Sequence, residues 1–160
     1  MKLSAFTAAV FFLWPTNGAS ADSRLGTECL QGLAPVLIAG AFSGSTDCKQ
    51  DRIAVSKVGD FRVAERSFSI FDYRYKKRPV CPECAIHGGQ RVIVLRDGRY
   101  IGQYGVIDYR ARTTIHGSDL ILSPAADDGV EHEALTVVHF RAGGPPKRIL
   151  FDGEPINFFR

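Results

Sequence analysis

No run of apolar residues in this chain reaches the roughly 20 that a helix needs to cross a bilayer, so no conventional membrane-spanning helix is expected. There is no glycine-rich strand-to-helix turn of the kind that cradles phosphate, which argues against nucleotide-dependent chemistry. Neither a G-x-S-x-G elbow nor an H-E-x-x-H pair occurs. A hydrolytic triad dispersed over strands would leave no such local trace, so an enzyme is disfavoured without being excluded. Internal repeats and low-complexity linkers are also missing, which sets aside solenoids and arrays.

An excess of one charge is lacking as well. The 160 residues hold 20 Lys and Arg against 17 Asp and Glu. A dedicated nucleic-acid binder would cluster its cations against few acids, so none is expected here.

What is present begins with MKLSAFTAAVFFLWPTNGASA: one basic residue, an apolar run from Leu3 to Trp14, a break at Pro15 and the small residues Ala19-Ser20-Ala21. That layout predicts a secretory signal peptide over residues 1–21, cut before Asp22, in preference to a retained anchor. The mature chain, 22–160, is expected to be a single exported domain, periplasmic or secreted. Without Lys2 it carries 19 basic side chains against 17 acidic ones.

Beyond about residue 52 the pattern is that of short β-branched and aromatic runs between turn residues. Arg91–Leu95 and Arg99–Tyr104 flank Asp97-Gly98, and Arg148–Phe151 and Pro155–Phe159 flank Asp152-Gly153. Both predict tight hairpins, because Asp-Gly accepts the positive φ that such turns demand. Pro155 points to an edge position for the last strand. Further strands are expected at Asp119–Ser123 and Leu135–Phe140, and at Arg52–Val58 and Phe61–Tyr75 joined through Gly59-Asp60. The fold class predicted is all-β, a small antiparallel sandwich or barrel of about seven or eight short strands. Runs of mostly five to seven residues are too short for an outer-membrane barrel. Residues 22–51 are interrupted by Gly32, Pro35 and Gly40, which predicts an irregular segment with a helical turn before Pro35 and an extended piece after it.

Export places Cys29, Cys48, Cys81 and Cys84 where they oxidise, and proximity favours Cys29–Cys48 and Cys81–Cys84. CPEC has three readings. A redox centre would need a helix after the first cysteine to lower its pKa, whereas Gly88-Gly89 and a strand follow. A metal site could use Cys81, Cys84 and His87 with a fourth ligand from His116, His132 or His139, but only one cysteine pair is visible. The favoured reading is a disulfide clip on a loop, with Gly88-Gly89 turning into the hairpin. No cofactor is expected.

FDYRYKKR (71–78) interleaves aromatic and basic side chains, which can stack on rings while holding anionic groups. Strand alternation puts Phe71, Tyr73 and Tyr75 on one face and Asp72, Arg74 and Lys76 on the other. Tyr100, Tyr104 and Tyr109 could line a cavity with Arg99 and Arg110. The expected binding surface is therefore Tyr73, Arg74, Tyr75, Lys76, Tyr100 and Tyr104. The function expected is a non-catalytic binding or inhibitor module for an envelope protein, cell-wall polymer or small molecule. The alternatives are a thiol or metal protein centred on CPEC and His87, and an accessory structural subunit of an envelope complex.

Overall fold

A computed structural model describes residues 29–30, 32–79, 81, 83–106, 111–124 and 135–160. The expected leader, the loop at 125–131, Tyr109, Arg110 and His132 lie outside these residues. The described chain is all-β: nine strands in two antiparallel sheets and one short helix. The order is α1 (Ala34–Ala39), β1 (Arg52–Val63), β2 (Arg66–Lys76), β3 (Gly88–Arg96), β4 (Arg99–Val106), β5 (Ala111–His116), β6 (Asp119–Pro124), β7 (Thr136–His139), β8 (Arg148–Phe151) and β9 (Glu154–Phe159).

One sheet has six strands, ordered β1-β2-β3-β4-β9-β8, and the other is β5-β6-β7. Period-2 alternation explains the packing between them. Phe68 and Ile70 of β2, Val92 and Val94 of β3 and Tyr104 and Val106 of β4 point from the large sheet at Leu120, Leu122 and Val138 of the small one. Residues of opposite parity, Ile53, Tyr73, Ile93 and Leu95, form a second core under Leu30, Leu33 and Leu37 of the N-terminal segment. The large sheet is thus covered on both faces. This is why Val92, Ile93, Val94 and Leu95 are consecutive, apolar and all buried.

Tyr100 reaches the second core through a bulge. The register shifts between Val94 and Leu95, so that Tyr100 pairs with Leu95, and the extra residue flips side-chain parity. Gly102 takes φ +151° there, and a Cβ on it would lie 2.6 Å from the Phe158 ring.

Both Asp-Gly hairpins form, with φ of +50° and +74° at Asp97-Gly98 and +49° and +77° at Asp152-Gly153. Several boundaries differ from expectation. Gly59-Asp60 is no turn: β1 runs through it with a register shift between Lys57 and Gly59, and the chain reverses at Ala64-Glu65 with Ala64 at φ +52°. Gly88-Gly89 opens β3 opposite Lys76 and Tyr75 rather than turning. Pro35 sits in the first turn of α1, where its missing N–H costs nothing, so the helix follows the proline instead of preceding it. β5 had no sequence counterpart. β9 lies between β4 and β8, yet Pro155 pairs only with Leu150 of β8, because β4 reaches β9 only at Phe158 and Phe159.

The disulfides are Cys29–Cys48 and Cys81–Cys84, with Cα separations of 6.2 and 5.1 Å. Two disulfides fit an oxidising environment, extracellular or periplasmic. Among the described residues no helix is long and apolar enough to cross a membrane.

Candidate functional site

A large concavity among the described residues lies where β1 begins and β2 ends. It is a groove of about 1090 Å³, walled by residues 48–54, by the end of β2 and by Pro79 and Ile86 of the loop that carries CPEC. Each wall is built locally. The Asp47 carboxylate accepts from the backbone N–H of Lys49 (2.9 Å) and Gln50 (3.3 Å), an Asx turn that sets the approach to β1. The Cys29–Cys48 bridge ties this turn to the second core. Opposite, the Lys77 N–H donates to the His87 carbonyl (2.7 Å) and closes the base of the loop that the Cys81–Cys84 bond clips. The Arg78 N–H reaches Asp51 Oδ1 (3.4 Å) across the groove.

Six cations line this groove, Lys49, Arg52, Arg74, Lys76, Lys77 and Arg78, against one acid, Asp51. Arg52 stands opposite Lys76 in the β1–β2 register, which sets two like charges on neighbouring strands at the mouth of the groove. Lys49, Arg52 and Lys77 have no ion-pair partner among the described residues. Ile86, 66 % exposed, supplies an apolar rim.

The structure brings some of the expected binding residues together here and not others. Arg74, Tyr75 and Lys76 line the groove. Tyr73 and Tyr104 are fully buried and their rings are core, while Tyr100, 3 % exposed, lies away from the groove and borders a cup at the far end of the large sheet. Tyr100 and Tyr104 belong to different cores on opposite faces of the large sheet. Tyr73 donates to the Ser45 carbonyl (2.6 Å) and Tyr104 to that of Pro146. Burial pushes the Tyr73 and Tyr104 hydroxyls well above the ordinary phenol value and that of Tyr100 up to about 12, against the opposing pull of Arg91 and Arg160.

Arg74 has a structural task as well. Its Nε and Nη2 both donate to Asp72 Oδ2 at 3.1 Å, and Nη2 lies 3.4 Å from the Ala111 carbonyl. Tyr75 lies over Gly89, where a Cβ would stand 3.0 Å from its hydroxyl, and the Arg91 guanidinium sits 5.5 Å from the centroids of Tyr75 and Phe42.

With Cys81 and Cys84 joined, neither offers a thiolate as the chain stands. His87 is exposed, and no cluster of three or more His, Cys, Asp or Glu able to hold a metal occurs among the described residues. His139 pairs with Asp119 (3.0 Å) on the outer face of the small sheet, and His116 is exposed at the end of β5.

Sequence reasoning missed Lys49, Arg52 and Ile86. The charged run KQDR (49–52) beside Cys48 was the available signal, but only the β1–β2 register sets it against Lys76. No family model matches the chain, and no curated protein or solved structure matches it.

Proposed function

We propose that this is an exported, non-catalytic binding module, periplasmic or secreted, whose basic groove holds an acidic partner, either an envelope protein segment or an anionic cell-wall polymer. The observation that carries this reading is a groove of six cations and one acid, in which Lys49, Arg52 and Lys77 have no ion-pair partner among the described residues. An anionic ligand complements this surplus of positive charge, which is concentrated in one concavity. Ile86 and the stems of the lysines add apolar contact at the rim. The CPEC disulfide then serves to hold one wall of the groove, and the Cys29–Cys48 disulfide the other.

Poly-L-glutamate is a suitable probe, titrated into the protein by calorimetry at low and at physiological salt. The K49E/K77E variant changes two side chains without a partner among the described residues, so its fold should persist. It is expected to bind at least about tenfold more weakly, equivalent to roughly 1.4 kcal/mol. Unchanged affinity in K49E/K77E would remove the groove from the binding surface. Arg74 is a poor choice for this test, since its loss also unpairs Asp72.

A further inference from the structure

The opposite end of the large sheet holds a second concentration of positive charge, and there every cation is an arginine. Arg66 opens β2, Arg96 closes β3, Arg99 opens β4 and Arg160 follows β9. With Asp97 they line a cup of about 720 Å³, of which Phe158 forms part of the apolar wall. β2 runs from Arg66 to Lys76, so at about 3.3 Å per residue the cup and the groove are about 30 Å apart.

Three of the four guanidiniums are held in place. Arg66 Nη1 donates to Asp97 Oδ2 (3.0 Å), Arg96 Nη1 to the Gly143 carbonyl (2.7 Å) and Arg160 Nε to the Gly40 carbonyl (3.1 Å). A guanidinium has five N–H donors, so each keeps others for a ligand. Arg99 has no partner among the described residues and faces Arg96 directly across the hairpin. The Asp97 carboxylate is already engaged, by the Ser67 N–H (3.0 Å) and hydroxyl (3.3 Å) as well as by Arg66. One acid committed to bracing a turn leaves four arginines with a large surplus of positive charge.

Guanidiniums held in fixed orientation meet oxyanions through paired hydrogen bonds, whereas lysines act as mobile point charges. The cup is therefore suited to a compact, directional ligand, unlike the lysine-containing groove. We propose that it is a binding site for a multivalent oxyanion of the phosphate class, either free or carried on a lipid headgroup. This assignment does not depend on the function proposed for the groove.

Calorimetric titration of the whole protein with pyrophosphate at about 0.15 M salt, where long-range attraction is screened, tests it. Sedimentation with vesicles containing phosphatidic acid, whose headgroup is a phosphomonoester, in the presence and absence of pyrophosphate, forms the second arm. Saturable one-to-one binding is expected, weakened about tenfold or more in R96Q/R99Q and unchanged in R112Q/R148Q, which removes the same charge elsewhere. Because Arg96 also bonds a loop carbonyl, R99Q alone must weaken binding too. Pyrophosphate binding without vesicle retention supports a free phosphate ligand, and retention that pyrophosphate displaces supports a lipid-borne one. Absence of both saturation at about 1 mM and vesicle retention, or an equal loss in R112Q/R148Q, overturns the proposal.

Discussion

The side-chain amide of Gln90 stands in for a strand partner at the junction of the two sheets. Its Nε2 donates to the Ala111 carbonyl (2.8 Å) and its Oε1 accepts from the Ala111 N–H (3.1 Å), reproducing the reciprocal pair that a neighbouring peptide would make. The same Nε2 donates to Asp72 Oδ1 (2.9 Å), whose other oxygen Arg74 holds. Gln90 is 1 % exposed and Ala111 fully buried, so water cannot replace these bonds. Replacing Gln90 by Leu keeps the volume roughly but strips the Ala111 N–H and Asp72 Oδ1 of this partner and leaves the Ala111 carbonyl only the 3.4 Å contact from Arg74. At about 1–3 kcal/mol for each buried group left unsatisfied, the expected loss is about 2–4 kcal/mol. Urea denaturation would show it as a lower midpoint with little change in slope; an unchanged midpoint would mean the junction is held by packing alone. None of this was legible in the sequence, where Gln90 is one polar residue ahead of an apolar run.

Among the elements, the N-terminal segment is the one whose attachment decides how the rest behaves. α1 and the chain around it cover Tyr73, Ile93 and Tyr100, with Phe42 edge-on to both tyrosines at 5.2 and 5.7 Å, and the Cys29–Cys48 bridge fastens this cover. Gly40 packs so closely that a Cβ would lie 2.6 Å from the Tyr100 ring. The bridge joins residues 19 apart, for which loop-closure entropy predicts about 3 kcal/mol. The double variant C29S/C48S should lose about that much. A loosened cover should also show in the phenols. A tyrosine with its pKa raised by folding contributes stability that is complete below the unfolded value of about 10 and vanishes as pH rises through the folded value. For Tyr100 that folded value is about 12. In C29S/C48S the absorbance titration of Tyr100 and Tyr73 should therefore move down toward pH 10 while Tyr104, in the other core, remains late. Simultaneous movement of all three would indicate global unfolding instead. The strands other than β5 and both Asp-Gly turns were legible at this scale because turn chemistry and period 2 are local. The reversal at Ala64-Glu65 was not, since a left-handed alanine leaves no mark, whereas Gly59-Asp60 imitates a turn and is a register shift.

For the molecule as a whole, near-balance of charge conceals an uneven distribution. The sequence count of 20 basic against 17 acidic residues argues against a dedicated nucleic-acid binder and gives no hint of local positive charge. The fold, however, gathers six cations at one end of β2 and four arginines at the other, from stretches as distant as Lys49, Arg96 and Arg160. Such gathering depends on strand register and sheet order, which no local pattern encodes; only FDYRYKKR, whose cations are contiguous, was visible beforehand. The two ends are about 30 Å apart along the strand, close to the Debye length of about 30 Å at 0.01 M salt and far beyond the roughly 8 Å at 0.15 M. A charge change in the cup should therefore be felt at the groove in dilute salt and not at physiological salt. R99E is expected to weaken poly-L-glutamate binding measurably at 0.01 M and to leave it unaltered at about 0.15 M. K77E should weaken it at both, because that charge faces the ligand. If R99E and K77E weaken binding equally at 0.15 M, the polymer spans both ends and the groove is only part of its track. If R99E has no effect even at 0.01 M, the field at the groove is set by its own six cations, and the cup is electrostatically separate.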